Sequence, residues 1–213
     1  MRKLTVLFIA VLSYITLSGQ NEHPTGLKYE WGAYGTTGRV FSKTGWALTS
    51  HYYVGKTKYW GFGFSYDYFK GTVYDNDDAL KDYATYKASA LMFGAMSEKD
   101  IGNNFFWGAG LYLGPSFNNL DDLKIYYVGA GSTITRYEKS MGFRFRYDLF
   151  LGFKITQQFG LLSSLSFGYN YSKTEGITSL YDDNNALVLE DNPHDLDMTY
   201  WLYNAKLGLY INF

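Results

Sequence analysis

The sequence predicts an all-β protein: a closed, antiparallel, up-and-down barrel of about eight strands that crosses a membrane, with an N-terminal export signal ahead of it. Three observations point there. Large apolar residues alternate with small or charged ones over most of the chain, the connections between these stretches alternate between short and long, and the first twenty residues have a character of their own.

Arg2 and Lys3 precede an apolar run from Leu4 to Leu17 that ends in Ser18-Gly19-Gln20. A basic start, a short apolar stretch and a small polar exit make a secretory signal peptide, and the run is too short for a comfortable membrane span. The chain therefore divides into 1–20, a signal peptide cleaved near Gln20, and 21–213, the barrel. No further domain is expected after Phe213.

Composition agrees with many twisted strands. The 213 residues hold 22 Tyr, 16 Phe, 5 Trp and 23 Gly but only 3 Pro, a mixture that favours strands over helices. There is no cysteine, which excludes disulfides and thiolate metal sites. A net charge of -1 gives no footprint for nucleic acid. A mean hydropathy of -0.22 resembles that of a soluble protein, but in a membrane barrel only alternate residues meet lipid, so the mean conceals the pattern.

Period two is clearest from Phe143 to Lys154. Phe143, Phe145, Tyr147, Leu149, Leu151 and Phe153 fall on one face, while Arg144, Arg146, Asp148, Phe150, Gly152 and Lys154 fall on the other. The register recurs from Phe159 to Ser172, from Trp201 to Phe213 and from Trp60 to Phe69. Eight strands follow, near 27–36, 45–54, 59–71, 82–96, 105–117, 140–155, 159–173 and 199–213. The stretches 125–128 and 132–137 are placed either as a small hairpin above the membrane or as two more strands, for a total of ten. Turns near 55–58, 97–104 and 156–158 are short, whereas those near 37–44, 72–81, 118–139 and 174–198 are mostly longer and more polar, the wiring of outer-membrane barrels.

The tryptophans supply a separate test. Trp31, Trp60 and Trp107 are expected at the periplasmic ends of upward strands, and Trp46 and Trp201 at the outer rim. Together they would form the two aromatic girdles, because indole combines an apolar ring with an N–H that seeks a polar partner.

An eight-stranded barrel is just wide enough for its own side chains, so the inward charges should form a packed plug. The expected network is Glu30, His51, Asp67, Lys87, Arg144, Arg146, Asp148, Lys154 and Lys206. Isolated ions in such a site cost too much, so pairing is required. Asp67 is expected to face Lys87 across the hairpin closed by 72–81, and Asp148 to neutralise part of the Arg144, Arg146 and Lys206 cluster.

At the C-terminus, Lys206, Gly208, Ile211 and Phe213 supply a polar residue, a glycine two later, and hydrophobics at the third-last and last positions. This resembles the C-terminal signal of bacterial outer-membrane proteins. Together with the export signal, strands and loops, the whole resembles small eight-stranded barrels of the OmpA/OmpX type. The resemblance implies residence in the outer membrane of a Gram-negative bacterium, contact with outer-membrane lipid and lipopolysaccharide, and reading of the last strand by the barrel-assembly machinery.

Chemistry is sparse. Gly55-Lys56-Thr57 lacks the earlier glycine of a phosphate-binding loop, and Gly129-Ala130-Gly131 lacks the third glycine of a dinucleotide fingerprint. Asp75, Asp77 and Asp78 are the nearest approach to a cation site, but they lack the glycine and closing glutamate of an EF-hand loop, so no metal and no cofactor are expected. The best catalytic constellation is His194 with Asp195 or Asp197, beside no recognisable serine nucleophile; His23 and His51 stand elsewhere. The expected role is thus a non-enzymatic outer-membrane barrel acting through its loops in binding, adhesion or envelope integrity. A narrow porin-like pore or secretion accessory, and a lipid-modifying enzyme, are the alternatives.

Overall fold

The computed structural model describes residues 25–36, 40–54, 60–74, 83–127, 131–191 and 193–212. The proposed signal peptide, the aspartates from Asp75 to Asp78, His23 and Phe213 lie outside them. Strands are β1 (Thr25–Thr36), β2 (Val40–Tyr53), β3 (Gly61–Tyr74), β4 (Tyr83–Ile101), β5 (Phe105–Leu120), β6 (Leu123–Tyr127), β7 (Gly131–Tyr137), β8 (Ser140–Lys154), β9 (Phe159–Tyr181), β10 (Leu187–Glu190), β11 (His194–Asp197) and β12 (Tyr200–Asn212). Each of the eight expected strands is present, within a few residues at most ends. β4 runs past its expected end to Ile101, because Ser97 to Ile101 keep pairing with Ala109 to Phe105.

Antiparallel pairing joins β1, β2, β3, β4, β5, β8, β9 and β12 in turn, and β12 closes on β1. Closure leaves the ring without an edge strand, so every wall strand has two hydrogen-bonded neighbours. The question of eight or ten strands is thereby answered: the ring has eight. β6 and β7 form a hairpin outside it.

Register fixes the shape. From Gly26, cross-strand partners run through His51, Gly63, Gly94, Tyr112, Arg146, Gly168 and Leu202, and return to β1 at Thr36, ten residues higher. With a rise of about 3.3 Å per residue and strands about 4.8 Å apart, that stagger on eight strands tilts them by about 40° and sets a backbone radius of about 8 Å. Such an interior admits side chains and little else.

The pleat then sorts the residues. Phe143, Leu149 and Leu207 are 47%, 44% and 69% exposed on the outside, whereas Arg144, Arg146 and Lys206 are buried within. Among the described residues, the outer face carries no charge between Lys99 near one end and Lys70 near the other. On the tilt above these two lie about 27 Å apart along the barrel axis, close to the ≈ 25 Å apolar band of membrane barrels. Hydrocarbon is the solvent that suits this surface.

β9 outlasts the ring. Its last residues, from Lys173 to Tyr181, pair with β11 and β10 on one edge, and from Gly176 to Tyr181 with β7 on the other. With β6 behind β7, this makes a second small sheet at the long-loop end, grown directly from the barrel wall.

Candidate functional site: a closed lumen and an outer collar

The inward residues form three layers. At the short-turn end Tyr53, Met96, Phe106, Phe150, Leu162 and Tyr210 pack together, with the Phe106 and Tyr210 rings 4.7 Å apart and nearly perpendicular. At the long-loop end Tyr34, Phe69, Tyr86, Leu120, Met198, Tyr200 and Leu202 do the same. Charge occupies the space between.

That central layer is balanced. Among the described residues the buried cations are Lys28, Arg144, Arg146 and Lys206, and the buried carboxylates are Glu30, Asp67, Glu98 and Asp148. Asp67 stands at the hub, facing Arg144 at 3.4 Å and Arg146 at 3.5 Å while accepting the Tyr34 hydroxyl at 2.8 Å. Arg146 also pairs with Asp148 at 2.8 Å and donates to Ser65 Oγ at 3.0 Å. Arg144 donates from Nε to Asn170 and from its fork to the Tyr200 hydroxyl, and its guanidinium lies 4.9 Å from the Phe69 ring centre. Lys206 sits between Glu30 at 3.5 Å and Asp148 at 3.9 Å, and Ser164 donates to Glu30. Nearer the short-turn end, Lys28 faces Glu98 at 3.6 Å, Tyr53 donates to Glu98 at 2.7 Å, and the Lys28 ammonium lies 3.4 Å from the Phe150 ring centre. Low dielectric makes each of these pairs strong and each orphaned charge expensive, so the layer acts as a unit.

Glycines make room for the rings. A Cβ on Gly110 would lie 2.6 Å from the Tyr112 ring, and one on Gly63 would lie 2.9 Å from it. Tyr112 thus fills a slot that no side chain could share, with Arg146 stacked 4.9 Å from its centre.

Most of the expected network is here: Glu30, His51, Asp67, Arg144, Arg146, Asp148 and Lys206 are all inward and buried. Two members require correction. Lys87 is on the outer face, because Tyr86, Ala88 and Ala90 point inward and the pleat sends the odd-numbered residues out; Asp67 is paired with Ala90, and Lys87 binds Asp121 at 3.0 Å instead. Lys154 does face inward, but at the mouth, where it meets Asp100 at 2.6 Å outside the buried layer. Asp148 neutralises Arg146 and Lys206, whereas Arg144 is served by Asp67.

The girdle also needs revision. Trp60 and Trp107 lie toward the short-turn end and Trp201 near the long-loop end of the wall, all well exposed. Trp31 and Trp46, however, are direct cross-strand partners at mid-wall, within an aromatic patch where Trp46 contacts Tyr29, Tyr66 and Tyr68. The cause is that β2 starts at Val40, so Trp46 is in the body of the strand and not at its entrance.

Lys28 and Glu98 escaped the sequence reading. Lys28 shares the inward parity of Glu30, so its signal was present. Glu98 lay beyond the expected end of β4. The inward tyrosines were hidden for another reason: an aromatic ring reads as lipid-facing, but Tyr34, Tyr53, Tyr86 and Tyr200 each place a hydroxyl on a polar partner inside.

Of the C-terminal pattern, Lys206 enters the lumen and Ile211 faces outward. Gly208 opposes Glu30, and a Cβ there would lie 2.9 Å from the Glu30 side chain, the space that lets Glu30 turn to Lys206. His194 falls in β11, and Asp197 caps the following turn by accepting from the Thr199 backbone N–H at 2.9 Å.

Closed ring, inward ions and outward apolar band define the class: an eight-stranded β-barrel of the outer-membrane type. Comparison with solved structures agrees on the fold. The chain is similar to a major outer membrane protein from Thermus thermophilus, with a TM-score of 0.62 at 10% identity, covering 90% of this chain and 99% of that one. Neisserial surface protein A matches at a TM-score of 0.49 and 10% identity over 91% of this chain and 98% of its own. The outer membrane protease OmpT from Escherichia coli matches at 0.46 and 10% identity over 89% and 97%. No family model matches the chain. No curated protein matches it either.

Proposed function

We propose that this protein is an integral barrel of the bacterial outer membrane, exported by residues 1–20, that works as a non-enzymatic scaffold for its extracellular face. One observation carries the reading: the lumen is filled by a charge-balanced layer between two aromatic caps, while β9 carries a sheet beyond the wall. Such an interior opposes ion flow, because a permeating ion would have to displace buried pairs. The second sheet offers Lys124, Arg136 and the residues of β10 from Leu187 to Glu190 to the surroundings, and binding or adhesion is the chemistry it suits. The C-terminal strand, with Lys206, Gly208, Ile211 and Phe213, serves assembly in this reading.

Three measurements test it together. Purified barrel in planar bilayers should pass almost no current; steady single-channel conductance would favour a pore. Recovery of partners from native membranes should fail when residues 121–139 are replaced by a short turn that leaves the ring intact. Partners that persist in that variant would move the function off the hairpin. Lipid A acyl chains followed by mass spectrometry should be unchanged on incubation with the barrel, and their loss or transfer would make it an enzyme.

A further inference from the structure

The outer face near the long-loop end holds a groove that neither the lumen nor the second sheet uses. One row of cross-strand partners on the outside runs Tyr68, Ser89, Phe117, Met141 over β3, β4, β5 and β8. Three of these are large and Ser89 is small, so a notch opens between the rings of Tyr68 and Phe117, about two strand spacings apart. Its volume is about 310 Å³, within the range of ligand pockets. The charged residues of its lining are Lys87 and Lys139.

The row above is basic. Lys70 and Lys87 are direct cross-strand partners, and like charges placed opposite one another on a sheet repel. Among the described residues, Asp121 is the carboxylate paired with these amines, holding Lys87 and offsetting one of the three. On the tilt derived above the row climbs by about 9 Å from Tyr68 to Met141, so Tyr68 and Ser89 lie inside the apolar band and Phe117 and Met141 at and past its edge at Lys70, and the amines climb by the same amount from Lys70 to Lys139. In a membrane that edge is the level at which acyl chains give way to headgroups. The combination asks for a ligand with hydrocarbon below and negative charge above.

Resting on the membrane reading above, we propose that this groove holds one phosphorylated glycolipid of the outer leaflet, an acyl chain lying over Ser89 between Tyr68 and Phe117 and a headgroup phosphate held by Lys70, Lys87 and Lys139. The phosphate relieves the Lys70–Lys87 repulsion, and the anionic lipid fixes the barrel's rotation and depth.

The test uses the full chain refolded in detergent, with native mass spectrometry to titrate bisphosphorylated lipid A, the same lipid after removal of its phosphates, and inorganic phosphate. One bisphosphorylated lipid should be retained per barrel. The triple variant Lys70→Gln, Lys87→Gln, Lys139→Gln should bind about a hundredfold more weakly, about fivefold for each amine lost near a lipid surface. Ser89→Leu, which fills the notch and leaves the amines in place, should also lose the bound lipid. Equal retention of dephosphorylated lipid, competition by inorganic phosphate alone, or unchanged binding in both variants would overturn the groove. Insertion into neutral-lipid vesicles, read as a compact band that shifts on heating, keeps the two readings separate: normal insertion without phosphate preference defeats the groove only, and absence of insertion defeats the membrane reading with it.

Discussion

Removing the hub carboxylate by Asp67→Ala should destabilise the barrel by about 3–5 kcal/mol, the usual cost of breaking a buried ion pair on one side. The structure places Asp67 against two guanidiniums and a phenol, all fully or nearly fully buried. Without it Arg144 keeps Asn170 and Tyr200, and Arg146 keeps Asp148 and Ser65, so the penalty is a net local charge and not complete orphaning of either fork. That places the expectation toward the lower end of the range. Equilibrium urea unfolding in lipid vesicles, followed by tryptophan emission, measures it. Arg146→Gln should cost a similar amount, and the double variant less than the sum, because restoring neutrality removes the uncompensated charge. Additive losses, or a cost below about 1 kcal/mol for Asp67→Ala, would show that water or counter-ions screen the lumen and that the charge-balance argument fails.

Other substitutions probe the remaining layers. Leu165→Arg, at mid-height on the outer face, should cost about 2–4 kcal/mol by the same unfolding assay, and Trp60→Arg near the short-turn end only about 0–1. Gly110→Ala pushes a methyl into the Tyr112 ring and should cost about 1–3 kcal/mol, with reduced folding yield as a second readout. Asp121→Asn breaks a pair that is 39% and 44% exposed, so a change beyond about 1 kcal/mol would contradict the outward placement of Lys87.

Much of the fold was legible because a barrel wall obeys a local rule. Phe143 to Lys154 alternate with period two whatever strand lies beside them, and the pleat alone sends Arg144 and Leu149 to opposite faces. The same rule failed at Lys87, where residues 75–82 separate it from β3 and the sequence offers no way to count the phase across. It also could not tell a lipid-facing tyrosine from Tyr86 or Tyr200, whose rings are apolar but whose hydroxyls are satisfied only inside.

Alternation and turn length were enough to establish the leading count of wall strands, their order, the face most residues take and the sidedness of the loops, since all of these are written locally along the chain. Who meets whom was settled only when the ring closed. The ten-residue stagger brings Asp67 of β3 across the lumen to Arg144 and Arg146 of β8, sets Trp31 beside Trp46, and lets β9 climb out of the ring to pair with β7, β10 and β11. Register is a property of closure around eight strands, and no single strand carries it.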